Sequence, residues 1–435
     1  MRFILSLILT VFCCTIAAQD NEDTIVNIQY ADDEHVLTKE DSILPQRWED
    51  VIRQRLSVIA QEADQNYYNT GMCVYDLTDS TIIYAYNQNK RLRPASTEKV
   101  LTAVTALDIL GARHPYSTEI FAEGNILTDS LNHNILDGNI VVVGDFDPKL
   151  EMADIHLIAD SIRNLGVDRI TGSIIADISM KDKNLLGNGW CWDDEQPYLT
   201  PLSIGGSSYE YTNKKNGYDP AVNFVDLLAK EIQGRGIRID GGTKKTSSHS
   251  DNLNFKLPLA KITHSIEEIL QRMMKNSDNL YAESMFYQVG ANRRRGIGWK
   301  DCANEVKAMI NRAGGDTYHI EIVDGSGLSL YNYSTPATMV AVLRYAYNEP
   351  RIFQVLYPSL PIAGVDGTLS KRMGGTKAAN NIHAKTGTVS GVSTLVGYAT
   401  ATNGHILAFA IMNNGVTTSN EGHAFQDRIC RILTE

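Results

Sequence analysis

Strand signals at the two ends of this chain constrain its fold more than anything between them. Near the N-terminus, Gly71 to Leu77 and Thr81 to Asn87 read as strands around Asp79-Ser80, a hairpin turn. Near the C-terminus, Ile382 to Thr388, Thr394 to Thr402 and His405 to Asn413 read as strands, the last two joined by Asn403-Gly404, a strong hairpin signal. Each set has a helix on its outer side. Leu44, Trp48, Val51, Ile52, Leu56 and Ile59 follow helical spacing before the first hairpin, and Glu421 to Leu433 closes the chain. Helix plus hairpin at one end and hairpin plus helix at the other predict one antiparallel sheet built from both termini and flanked by helices. The middle is then an insertion. Residues 115–259 alternate strands (Asn139 to Val143, Ile170 to Ile178) with helices (Ala153 to Asn164, Pro220 to Gln233), which reads as a separate α/β module. The expected layout is a discontinuous domain of residues 43–114 and 260–435 around an inserted domain of residues 115–259.

Residues 1–18 read as a secretory signal: Arg2, an apolar run from Phe3 to Ile16, then the small residues Ala17 and Ala18. That run is shorter than the roughly 20 apolar residues of a spanning helix, and no later stretch is long enough, so no stable membrane span is expected. Phe12 occupies the position before Cys13-Cys14 where lipidation wants a small residue. Acidic residues 19–42 read as a solvated linker. The expected location is the periplasm.

A formal net charge of −11 excludes nucleic acid as a partner, since phosphate neutralisation needs a surplus of Lys and Arg. Cys73, Cys191, Cys302 and Cys430 remain after cleavage, with no CxxC pair, and free buried thiols and a bridge are both open. The histidines form no HExxH, so neither a metal nor an organic cofactor is indicated.

Three short motifs carry the chemistry. Ser96-Thr97-Glu98-Lys99 follows Pro94 at the head of an apolar helix (Val100, Leu101, Val104, Leu107, Leu110), where residues three apart share a face. A serine becomes a nucleophile when a base takes its proton, and a desolvated lysine can be that base. Alone, the pattern reads more simply as a capping serine and a solvated lysine. Ser277-Asp278-Asn279 follows the amphipathic helix Ile266 to Met274; its hydroxyl can relay a proton, and its carboxamide can grip an amide. Lys385-Thr386-Gly387-Thr388 lies in the strand from Ile382, where glycine admits a close ligand, Lys385 and the threonines can hold a carboxylate and the Thr388 amide can face an oxyanion. Each of these is a turn or strand residue set by itself. SxxK, SDN and KTG in this order together mark penicillin-binding proteins and serine β-lactamases.

With these motifs the chain resembles the class C low-molecular-mass penicillin-binding proteins, the D-alanyl-D-alanine carboxypeptidase/endopeptidases of peptidase family S13. The likeness runs from about Leu44 and includes Gly144 to Leu150, similar to the family's GGGDPxL; Asp324 to Ser329, its DGSGLS turn; and Ala363 to Leu369, its AGVDGTL segment. It implies a β-lactamase/transpeptidase-like α/β (α+β) fold, peptidoglycan stem peptides as substrate and β-lactam antibiotics as covalent inhibitors. It further implies Ser96 as acylated nucleophile, Lys99 as its base, Ser277 as proton relay, Asn279 as holder of the peptide carbonyl and Lys385 as part of the charged network. Thr386, Gly387 and Thr388 would bind the terminal carboxylate, and the backbone amides of Ser96 and Thr388 would form the oxyanion hole. Two departures stand out. Ser96 and Ser277 are 277 − 96 = 181 positions apart, fewer than in larger members, so a third domain nested in the insert is expected to be missing or vestigial. Where the family often carries Arg, this chain has Leu330; Asp147, implied to hold the amine of a diaminopimelate side chain, is kept.

Two other readings stay open: a β-lactamase or esterase on this scaffold, which needs fast hydrolysis of the ester, and a catalytically inactive wall-binding protein. His383 reads as an edge-strand histidine in water. Trp190, Cys191 and Trp192 read as loop-packing residues rather than a glycan platform.

Overall fold

The computed structural model describes residues 47–65, 69–191, 194, 196–205, 218–248, 256–292 and 294–435. The signal, the linker, Leu44, Trp192 and residues 206–217 lie outside them. Residues 47–435 form one compact unit.

The sheet predicted from the two termini is present. It has five strands in the order β10 (His383–Val389), β11 (Val392–Thr400), β12 (Ile406–Asn414), β1 (Asn69–Asp76), β2 (Thr81–Tyr86). All four pairings are antiparallel, and β1 lies beside β12 with Asn69 opposite Asn414 and Asp76 opposite Leu407. Strands β11 and β12 are apolar almost without alternation because both faces are covered. One face, carrying Met72, Val74, Phe409 and Ile411, packs on α1 (Trp48–Gln65) through Ile52 and Leu56 and on α10 (Ser419–Leu433) through Ile429 and Leu433. The other, carrying Cys73, Ala408, Ala410 and Met412, packs on a helical layer. That layer holds α2 (Glu98–Ile109), α5 (Ile266–Lys275), α6 (Asn279–Ala291), α7 (Trp299–Arg312), α8 (Pro336–Asn348) and α9 (Pro350–Ser359). Helix starts are fixed by side chains: Ser265 with Glu268 and Thr418 with Glu421 form capping boxes, each worth about 1 kcal/mol.

The middle of the chain builds a second sheet. Here β3 (Pro115–Thr128), β4 (Asn134–Val143) and β9 (Lys256–Ser265) pair antiparallel, while β5 (Arg169–Ile170), β6 (Ile174–Asp177), β7 (Arg238–Ile239) and β8 (Thr243–Thr246) add parallel pairings. Helices α3 (Met152–Arg163) and α4 (Pro220–Gly234) share its apolar core. The single strand expected over Ile170 to Ile178 is two strands. Gly172 breaks it, lying so close to β4 that a β-carbon there would stand 2.3 Å from the Gly138 carbonyl oxygen. The sheet also runs past the boundary read at residue 259, since β9 continues to Ser265 and leads directly into α5.

Candidate active site

Helix α2 is buried on every side from Glu98 to Leu107, so it threads the molecule rather than lying on it. The helix expected from Ser96 begins instead with a 3₁₀ turn, Ala95–Thr97, and no side chain caps it. Ala95 sits at φ 45°, a left-handed conformation that costs about 1 kcal/mol or more for a residue with a side chain. Buried threonines hold the turn: Thr97 Oγ1 and Thr394 Oγ1 both donate to the Pro94 carbonyl, at 2.6 and 2.7 Å. Ser96, half-buried, is thereby free of capping duty.

The Lys99 side chain reaches back one turn and is completely buried. Its Nζ lies 2.8 Å from Ser96 Oγ, 2.8 Å from Asn279 Oδ1 and 2.7 Å from the Ser326 carbonyl oxygen. The last two partners can only accept hydrogen bonds. A neutral amine has two N–H groups and one lone pair, so these two partners take both N–H groups and leave the lone pair aimed at the serine hydroxyl. Burial lowers the Lys99 amine to about 8, against the opposing pull of Asp324, Glu283, Asp278 and Glu98. The neutral form is therefore within reach at ordinary pH.

Ser277 also sits at positive φ, 60°, just before Asp278, whose carboxylate caps α6 by accepting the amides of Leu280 and Tyr281. That kinked entry starts α6 at Asn279 and turns the Ser277 hydroxyl toward Lys385 Nζ, 2.8 Å away. Lys385 is fully buried and donates to the Thr386 carbonyl at 2.7 Å. Burial and then the neighbouring Lys99 charge push its amine well below the usual lysine range. Five residues from three separate stretches thus form two hydrogen-bonded groups, Ser96 with Lys99 and Asn279, and Ser277 with Lys385, coupled by the charge of Lys99 on Lys385.

Strand β10 closes one wall. A β-carbon on Gly387 would meet the Pro94 carbonyl oxygen at 2.7 Å and the Thr97 amide nitrogen at 2.9 Å, so glycine is required for the strand to lie against the Ser96 turn. Thr386 is buried with Oγ1 2.7 Å from Thr368 Oγ1, and Thr388 is exposed. Thr368, which motif reading passed over, is brought there by Lys275, whose Nζ binds the Leu360 carbonyl at 2.6 Å and Asp366 at 2.7 Å.

Behind Lys99 stands a group of acids to which sequence reasoning gave no role. Asp324 accepts from the amides of Gly327 (2.8 Å) and Ser329 (2.6 Å), from Asn332 Nδ2 (2.6 Å) and from Trp190 Nε1 (2.8 Å). Glu283 accepts the Ser326 amide at 2.9 Å. Neither oxygen of buried Glu98 has a hydrogen-bond partner, and burial raises its pKa well above the usual range. The available signal was Glu283 itself, a lone acid in the apolar stretch Leu280 to Val289.

Asp147 does not join the five. Its side chain has no exposed area; Oδ2 lies 2.6 Å from His264 Nδ1 and Oδ1 accepts the Lys149 amide at 3.0 Å. A substrate amine cannot reach it without displacing His264. His383 is not solvated as expected either: its ring stacks on Tyr357 at 4.1 Å between centroids. Leu330 is half-buried and donates its amide to the Gly189 carbonyl at 3.1 Å. Through that bond and Trp190, the loop before residue 191 packs on the Asp324 turn, as read for that tryptophan.

Residues 52–205 and 202–435 match the D-Ala-D-Ala carboxypeptidase 3 (S13) family. The chain belongs to that family. The class C resemblance, the transpeptidase-like fold and the activity class of a serine-type D-Ala-D-Ala carboxypeptidase all follow. The chain is similar to D-alanyl-D-alanine carboxypeptidase DacB of Haemophilus influenzae, 27% identical over 81% of this chain and 86% of the relative. It is also similar to D-alanyl-D-alanine carboxypeptidase of Actinomadura sp. (strain R39), 26% identical over 88% of this chain and 84% of the relative. Among solved structures, penicillin binding protein 4 (dacB) from H. influenzae superposes with a TM-score of 0.74 at 25% identity, over 86% of this chain and 97% of that one.

Proposed function

We propose that this S13 enzyme removes or cleaves at the terminal D-alanine of peptidoglycan stem peptides through an ester on Ser96. The observation that carries the reading is the Lys99 amine, whose two hydrogen-bond acceptors leave its lone pair for the Ser96 hydroxyl. Ser96 Oγ attacks the penultimate carbonyl carbon as its proton passes to Lys99 Nζ. The Ser96 and Thr388 amides steady the oxyanion, each donor worth about 3 kcal/mol of barrier. As the C–N bond breaks, the leaving amine takes its proton through Ser277, which Lys385 orients, while Asn279 holds the peptide carbonyl and Thr386 and Thr388 the terminal carboxylate. Water then hydrolyses the ester by the reverse path.

The same geometry supports covalent capture of β-lactams, the ring opening on Ser96 in place of the peptide. A related structure of penicillin binding protein 4 from H. influenzae is complexed with a β-lactam. Residues 1–18 would carry the protein to the periplasm, and residues 115–259 would be an inserted domain carried on the catalytic one. Fluorescent penicillin should label the wild-type protein stoichiometrically and Ser96→Ala not at all; an unlabelled, folded wild type overturns the reading. Digestion of purified muropeptides followed by mass spectrometry separates tail trimming from cross-link cleavage, and rapid β-lactam turnover would favour a β-lactamase.

A further inference from the structure

The roles given to Ser96 and Lys99 leave the acids behind the amine unused. Glu283 lies one helical turn beyond Asn279 on α6 and is 1% exposed. Its Oε1 accepts the amides of Ser326 at 2.9 Å and Gly325 at 3.2 Å. The Gly325 carbonyl, at the other end of the same peptide unit, accepts from Thr102 Oγ1 on α2 at 2.8 Å. The peptide between Gly325 and Ser326 is thus held at both ends, and the next carbonyl, that of Ser326, points at Lys99 Nζ. A backbone acceptor has no rotamer of its own, so its aim is set by whatever clamps the turn.

Glu283 also lines a cavity of about 770 Å³, shared with Asp182, Asn184, Tyr287 and Trp299, which opens to solvent.

Resting on the acyl-enzyme reading, we propose that Glu283 is the positioning residue of the catalytic amine, clamping the turn that aims Lys99 and exchanging protons with solvent through the cavity it lines. The reaction consumes no proton at Glu283, since the one that Lys99 takes from Ser96 leaves with the departing amine; Glu283 fixes the charge from which each turnover starts. Burial raises its carboxyl to about 8 and lowers the Lys99 amine to about 8, so the two groups compete for a proton over one pH range. The groups facing Glu283 are Lys99 and Glu98 from α2, Asp324 from the turn, Lys181 from the loop before the cavity, Tyr287 from α6 and Cys302 from α7.

The test is the rate of acylation by fluorescent penicillin against pH for the full-length wild type, Glu283→Gln and Glu283→Ala, with Ser96→Ala as control. Glu283→Gln keeps an acceptor for both amides but cannot ionise. Its plateau rate should stay within about threefold of wild type, while the acid limb moves to lower pH because Lys99 loses an anionic neighbour. Glu283→Ala loses the clamp, and its plateau should fall about tenfold or more. A Gln profile that overlays the wild type overturns the proposal even if the Ala variant fails to fold; so does an Ala plateau within threefold. Absence of Ser96-dependent labelling in the wild type overturns the acyl-enzyme reading itself, and this inference with it.

Discussion

A β-carbon on Gly327 would stand 1.9 Å from the carbonyl oxygen of Ala95, the residue immediately before Ser96. Gly327 holds φ +84° and Ala95 φ 45°, so two left-handed residues from distant stretches press against each other. The contact locks the Asp324 turn, and with it the Ser326 carbonyl, to the strained entry of α2.

Gly327→Ala adds both a backbone clash and the cost of a side chain at positive φ, and should destabilise the protein by about 3 kcal/mol or more. Denaturant unfolding measures this, and penicillin labelling should be lost in parallel. A fully stable, fully labelled variant would mean that the turn and the helix start move independently.

Acylation should climb with pH and level off above about 8, because Lys99 accepts the serine proton only when neutral. Stability follows a different curve. Glu283, raised from 4.5 to about 8, adds stability that is fully present below 4.5 and lost as pH rises through 8. Lys99, lowered from 10.5 to about 8, binds fewer protons folded than unfolded between those values, so its contribution rises with pH from 8 to 10.5. Together they predict a stability minimum where the two titrations meet, near pH 8, flattened on its acid side in Glu283→Gln. Chemical denaturation from pH 5 to 10 reads it directly.

Lys99→Met removes the base and should slow acylation by about a thousandfold. A variant that still labels at near wild-type rate would assign the base to another group, with Lys385 the next amine.

Asp147→Asn should cost about 1 to 3 kcal/mol of stability by weakening the pairing of this buried carboxylate with His264, and leave penicillin acylation within about threefold. The opposite outcome, unchanged stability with a raised KM for substrates bearing a side-chain amine, would place Asp147 in contact with substrate.

Cys73, Cys191, Cys302 and Cys430 are free, and all but Cys191 are buried. Burial raises the thiols of Cys73 and Cys430 to about 12. Thiol titration should find three groups that react only after denaturation, and reductant should leave the melting temperature unchanged.

The part of the site legible in the sequence is the part made by local spacing or by side chains acting in their own names. Ser96 and Lys99 meet because one helical turn brings them together, and Asn403-Gly404 announces the hairpin between β11 and β12. The termini's strands showed their pairing through turn residues. What stayed hidden depends on the approach of distant chain. The Ser326 oxygen belongs to the backbone, which every residue has. Glu283 and Glu98 look like surface acids until the packing of α6 and α2 buries them. His383 reads as solvated in the sequence, and only the placement of α9 decides that Tyr357 covers it.

Strand β1 has β2 on one side and β12 on the other, and β12 is made of residues 406–414. A polypeptide made from its N-terminus therefore keeps one edge of β1 unsatisfied until nearly the whole chain exists. Closing so long a loop is slow, and a partial chain has neither the wall that carries Lys385 nor a stable sheet to support α2. A nascent or truncated copy thus lacks the assembled site by topology alone.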